Sequence, residues 1–333
     1  MLPMPRSLPK IDAATLIAFG CILLLLLLGA VAKPGFLSVE YLAQQLQVAS
    51  FLGTIATGEM IVILMGQIDL SIPWTIAIGG MMATGASGIL GPTLGVPLAI
   101  PFGIFCGFLV GVVNGLGVAY LRAPSMIFTL GMNAVAQGLM VYHTGGFAPQ
   151  DRATELMVAV ASGQLIPGVS NPLLAWIALG AGAVYMLTRT RLGRQIYAIG
   201  NRERAVFLSG VDTRWVTLIA FALCGACAAA GGVMLAGWAN RSYQAMGDPY
   251  LLPTIAAIVL GGTNVLGGRG SYLGTIAGVI LITLLQSILS VLQPQDYFAQ
   301  IGIKLPADVF RQVVFGLVII VMMMLYGREK VVR

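Results

Sequence analysis

Runs of about twenty apolar residues, almost free of charge and separated by short basic loops, constrain this sequence more than any other feature. Backbone in hydrocarbon must satisfy its own polar groups, so such runs fold as helices packed across a bilayer. Only 9% of the 333 residues are charged and 58% are hydrophobic, whereas a soluble domain carries about 25% charged residues. Lipid is therefore the solvent and the bilayer the first partner. The net charge of +6 sits in the short loops, a distribution that speaks against nucleic acid.

Ten spans can be drawn within a single transmembrane domain covering residues 1–333. The first, Ala13 to Ala32, ends in Ala30-Val31-Ala32, which looks like a cleavage site. Its length and the spans that follow favour an uncleaved helix. Leu37 to Gln47 is expected at the outer interface. Span two runs from Val48 to Gln67, with Glu59 near its middle. Asp69 or Ser71 is expected to cap span three, which continues to Leu90 with Pro73 in its first turn. Span four, Val96 to Leu121, carries Gly103, Gly107, Gly111 and Gly115, a stripe that allows close backbone approach.

Span five runs from Pro124 to His143 and holds Asn133 and Gln137 on one face. His143 reads as a wet imidazole at its outer end. A long outer loop, Gly145 to Asn171, precedes span six, Pro172 to Thr188. Span seven runs from Trp215 to Gly237, and its Cys224-x-x-Cys227 lies among small residues. That setting, with no strand and no second ligand pair, favours helix packing over redox or metal chemistry. The segment from Pro253 to Leu266 is only about 14 residues, or about 21 Å of helix, too short to cross. It must be buried or extended by irregular backbone. Span nine is Tyr272 to Leu292, within a stripe of Gly270, Gly274 and Gly278, and span ten is Val309 to Tyr326.

With both termini inside, thirteen of the eighteen Lys and Arg residues fall on the inner side. Lys33, Arg152, Arg241, Lys304 and Arg311 are left outside. Asp69-Leu-Ser-Ile-Pro-Trp-Thr-Ile-Ala77 and Asp248-Pro-Tyr-Leu-Leu-Pro-Thr-Ile-Ala256 open spans three and eight, and spans four and nine carry the glycine stripes. An offset of five spans would make the halves inverted repeats, with any transport site between them. Chance likeness of apolar helices is the rival reading.

The loop between spans six and seven, residues 189–214, holds six arginines: Arg189, Arg191, Arg194, Arg202, Arg204 and Arg214. Asn201 can cap a short helix there and Gly210 can end it. Between them Ala205, Val206, Phe207 and Leu208 make an apolar patch amid charge. A solvated interfacial loop and a docking helix for a soluble partner both fit. Polar groups able to meet a solute are Glu59, Asn114, Asn133, Gln137 and Asn264, with hydrogen bonding between helices as the competing role. Gly261-Gly-Thr-Asn-Val-Leu-Gly-Gly-Arg-Gly-Ser271 lacks the Gly-Lys-Ser/Thr of a phosphate loop, so no nucleotide and no cofactor is expected.

Several stretches together resemble the permeases of sugar-type ABC importers, the ribose, xylose and galactose group within the branched-chain amino acid/ribose permease superfamily. They are Val62-Ile-Leu-Met-Gly-Gln-Ile-Asp-Leu-Ser71, Ala123-Pro-Ser-Met-Ile-Phe-Thr-Leu-Gly131, Gly193-Arg-Gln-Ile-Tyr-Ala-Ile-Gly200 with Leu208-Ser-Gly-Val211, and Ile258-Val-Leu-Gly-Gly-Thr263 with Gly267-Gly-Arg-Gly270. The resemblance implies an all-α, type II importer permease fold with structural motifs at Asp69, Ser71, Gly261, Gly262, Gly267 and Gly268. It further implies a separate ATP-binding cassette ATPase, a periplasmic solute-binding protein and a second permease subunit. The coupling helix would be Asn201 to Gly210, with Phe207 and Leu208 entering the ATPase and Arg202 and Arg204 at the rim. Gln67 and Pro73 stand where the family usually has glycine, and Asn201 to Phe207 departs from its G-N-x-x-A-A-R run. The solute could be a sugar or a sugar-like compound such as an autoinducer-2-like furanosyl molecule. A branched-chain amino acid permease, or a secondary transporter using Glu59 or Asp69, are the rivals.

Overall fold

The computed structural model describes residues 13–292 and scattered positions between 306 and 320. Span ten and the basic residues Arg6, Lys10, Lys304, Arg311, Arg328, Lys330 and Arg333 lie wholly or largely outside the described residues. The described residues begin in a helix: α1 is Ala13–Ala32, α2 Val39–Leu64, α3 Ile72–Thr84, α4 Ala86–Leu90 and α5 Pro92–Ala119. It continues with α6 Ser125–His143, α7 Glu155–Ser162, α8 Asn171–Arg189, α9 Arg191–Leu208, α10 Thr213–Trp238, α11 Leu251–Leu260 and α12 Tyr272–Leu292. Among the described residues, six helices are long and apolar enough to cross a membrane.

Two of these, α2 and α10, cross at the centre, and every residue of α2 from Ala49 to Leu64 is buried. The glycine stripe of α5 lies against small residues. A Cβ at Gly111 would collide with the Phe221 carbonyl of α10, and one at Gly107 with Ala229 and the Gly225 carbonyl. On the other flank, a Cβ at Gly274 or Gly278 of α12 would strike the Gly261 or Ala257 carbonyl. Cys224 and Cys227 are buried free thiols that press on Gly58 of α2, where an added Cβ would lie 2.7 Å from Cys227 Cβ. Side chains this small let helices meet backbone to backbone, which is how association is driven in lipid.

The packing pairs follow the five-span offset. Helix α3 sits on α5 and α10, and α11 sits on α12 and α2, so each half's short helix packs on both halves. Several boundaries differ from the sequence reading: α11 ends at Leu260 and not at Leu266, and α5 begins at Pro92 and not at Val96. Span three is interrupted at Gly85, leaving α3 with 13 residues, about 20 Å long and too short to cross alone. Helix α2 starts at Val39 and absorbs the expected interfacial segment, with Ser38 Oγ accepting from Tyr41 N. The outer loop contains α7, capped by Thr154 and seated against Gly237 of α10, where a Cβ would meet Ala161 at 2.9 Å.

Candidate functional site

The arginine-rich segment folds as α9, a helix longer than the one expected. Thr190 caps it by accepting from Gly193 N at 3.2 Å. Ile196 and Ile199 are buried with Gly193, so an apolar edge runs beneath the charge. Extended backbone at Arg202 divides α9, leaving Glu203 to Leu208 as a short final helix. Gly210, at φ +87°, turns the chain out as expected. Asp212 then starts α10 by accepting from Arg214 N and Trp215 N. Phe207 is 60% and Leu208 83% exposed, and Arg202 and Arg204 are exposed beside them.

Asn201 does not cap this helix. Its Nδ2 donates to Tyr197 O at 3.0 Å and to Gly268 O at 3.4 Å, so it ties α9 to the α11–α12 turn. The same joint is made by Gly268 N donating to Leu64 O at 2.8 Å and Tyr197 Oη donating to Gly270 O at 2.9 Å. Burial pushes the Tyr197 hydroxyl above the usual tyrosine range, so it keeps the proton that it donates. A Cβ at Gly200 would collide with Leu64 O and Gly268 N, and one at Gly267 would reach Gly200 Cα at 3.0 Å. Gly66, Gly267 and Gly268 all have positive φ. The end of α2, the α11–α12 turn and α9 therefore meet at a joint that only glycines can close. Gln67 is compatible because Gly66, not its neighbour, carries the left-handed turn.

Between α2 and α3 the chain is unwound from Gly66 to Ser71, running from exposed Gly66 to buried Asp69 and Ser71. Its amides are satisfied one by one. Gln67 N donates to Val62 O at 3.2 Å, Ile68 N to Ser125 Oγ at 3.3 Å, and Asp69 N to Glu59 Oε1 at 3.1 Å. Leu70 N donates to Thr129 Oγ1 at 2.9 Å and Ser71 N to Asp69 Oδ1 at 2.9 Å. Irregular backbone leading into buried protein needs such partners. Glu59 is thus an acceptor for an unwound turn, its second oxygen receiving Cys224 Sγ at 3.3 Å. Asn114 Nδ2 donates to Asp69 at 3.3 Å and to Ser71 Oγ at 2.8 Å.

These contacts correct several expectations. Asp69 closes a turn ahead of α3, and Ser71 makes no side-chain cap. The free Trp74 N–H in the first turn of α3 is instead accepted by Asn133 Oδ1 at 3.3 Å, from α6. Glu59 and Asn114 are fully buried within the subunit. Asn264 is not in a span but in the α11–α12 turn, where its Oδ1 accepts from Leu266 N at 2.9 Å. Gly261 and Gly262 end α11, Gly261 against Gly274. Of the five pathway candidates, Glu59 and Asn114 are buried, Asn133 and Asn264 are half-buried, and Gln137 is exposed. Ser125 and Thr129 were missed. They lie four residues apart on α6, a spacing that puts two hydroxyls on one face.

The family model for the branched-chain amino acid transport system / permease component matches residues 41–323. The ribose import permease protein RbsC of Escherichia coli K12 is 32% identical over 283 residues, covering 84% of this chain and 87% of that protein. Its counterpart in Haemophilus influenzae is 31% identical, covering 86% and 88%. The autoinducer 2 import system permease protein LsrC of Escherichia coli O157:H7 is 32% identical, covering 83% and 79%. No solved structure gives a significant match.

Proposed function

The chain belongs to the branched-chain amino acid transport system permease family, and from that premise we propose that it forms the membrane path of an ABC importer for a sugar or sugar-like solute. A separate ATPase docks on the end carrying α9, which faces the cytoplasm together with both chain termini. A periplasmic binding protein delivers solute to the opposite end, and a second permease subunit completes the path. This chain supplies no ATPase site of its own, since its glycine-rich turn at Gly261 to Ser271 serves as a helix joint.

One observation carries the coupling reading. The exposed Phe207–Leu208 tip lies on the short helix that follows the break at Arg202, two residues beyond Gly200, which is packed against the end of α2 and the α11–α12 turn. A partner seated on the tip therefore acts a few residues from the backbone joint at Gly200. Asn133 and Gln137 on α6 are the residues best placed to meet solute, because α6 also clasps the unwound α2–α3 turn through Ser125 and Thr129.

The sugar class rests on similarity to the ribose and autoinducer 2 permeases. The name of the matching family favours a second reading, a branched-chain amino acid. Reconstitution with the cognate ATPase and binding protein discriminates between them. Uptake of ribose or a furanosyl analogue, with no uptake of leucine, is expected. Leucine uptake without sugar uptake would overturn the sugar assignment and leave the importer class intact.

A further inference from the structure

Beside the α9 tip lies an open groove of about 590 Å³, bordered by Arg122, Arg204, Phe207, Leu208, Arg214 and Gln67. The three arginines are exposed, and none forms an ion pair among the described residues. The one carboxylate on the groove, Glu203, accepts from Thr213 Oγ1 at 3.2 Å. Arg214 holds its guanidinium over the Tyr120 ring, 5.7 Å from its centre. Arg122 has φ +55°, a left-handed backbone that a bulky residue rarely adopts. Non-glycine residues held in such a conformation concentrate at ligand clamps and switches.

We infer that this groove is a second contact for the ATPase, receiving a carboxylate-bearing segment of that subunit on Arg122, Arg204 and Arg214. The inference rests on the docking of the ATPase at Phe207 and Leu208. Those two side chains also border the groove, so whatever buries them closes its mouth. The positive surplus defines the chemistry of the occupant, and guanidinium forks are suited to carboxylates. The contact engages two separate loops, because Arg122 belongs to the turn between α5 and α6 and the other arginines flank the end of α9. Ser125, three residues after Arg122, holds the unwound α2–α3 turn through Ile68 N. A partner gripping Arg122 thus acts on α6 directly, in parallel with the glycine joint at Gly200.

The test uses the full permease in nanodiscs with its cognate purified ATPase, measuring the dissociation constant across a salt series. Arg122→Glu combined with Arg214→Glu should weaken assembly at least tenfold and flatten its salt dependence. Arg122→Gly, which suits the left-handed backbone, should also weaken it, and its elution and thermal midpoint show that folding is intact. Phe207→Ala should weaken assembly without altering the salt slope. Unchanged affinity in both Arg122 variants, with Phe207→Ala still impaired, overturns the groove contact and leaves the docking helix standing. An arginine effect seen in discs containing phosphatidylglycerol but absent in pure phosphatidylcholine overturns it in favour of a lipid headgroup. Full affinity in Phe207→Ala removes the docking premise and this contact with it.

Discussion

Substituting Gly200 by Ala tests whether the glycine joint transmits force. The added methyl would point at Leu64 O and Gly268 N, two backbone atoms that are hydrogen-bonded to each other at 2.8 Å. Neither can rotate away as a flexible side chain could. Accommodating the methyl must part α9 from α2 and from the α11–α12 turn. Overpacking costs about 1–3 kcal/mol and the weakened hydrogen bond about 1 kcal/mol, so roughly 2–4 kcal/mol falls on this one interface. Gly200 does not have positive φ, so the backbone itself accepts Ala. The matched control is Gly182→Ala in α8, where nothing lies within 4 Å of an added Cβ. Both variants are assembled with ATPase and binding protein in proteoliposomes, and solute transported per ATP hydrolysed is measured. Gly200→Ala should lower the thermal midpoint and reduce transport per ATP, while Gly182→Ala matches the wild type. Equal coupling and equal midpoints in the two variants would refute the joint.

Phe207→Ala should weaken ATPase association by about 2–4 kcal/mol, as for a buried aromatic anchor, and leave membrane insertion normal. Arg202→Ala, which does not border the groove, should change it by under about 1 kcal/mol. Asp69→Asn keeps an acceptor for Ser71 N and should be mild, with near-normal yield of folded protein. Asp69→Leu strands Ser71 N and takes one partner each from Ser71 Oγ and Asn114 Nδ2, at about 1–3 kcal/mol for an unpaired buried group, and should reduce detergent-stable protein. Glu59→Gln retains the oxygen that receives Asp69 N, so ATP-driven uptake should persist. Loss of uptake at normal expression would instead assign its charge to transport.

The sequence made the spans legible because lipid imposes a simple code of length and hydropathy, and ends such as those of α6, α8 and α12 fall within a residue or two of expectation. The shortness of α11 and the glycine stripes were equally readable, since both follow from local composition. Helix α9 was harder. Its six-arginine segment looks like a loop, and the buried positions Ile196 and Ile199 are a sparse signal among charges. The polar roles were least legible. Asn201 has the residue type of a cap, yet its partners are Tyr197 O and Gly268 O. Glu59 has the placement of a functional carboxylate, yet it serves an amide ten residues on. Asn133 caps a helix 59 residues away in sequence. Side-chain partners set by tertiary packing leave no periodic trace in a single sequence.

The central claim is that this chain moves solute only when ATP hydrolysis drives it through α9. The most direct measurement is uptake into proteoliposomes holding the permease alone, the permease with ATPase, or both with the binding protein. The account predicts uptake only in the complete system, dependent on ATP, blocked by vanadate and indifferent to an uncoupler. Uptake by the permease alone, driven by an ion gradient and abolished by the uncoupler, would contradict it.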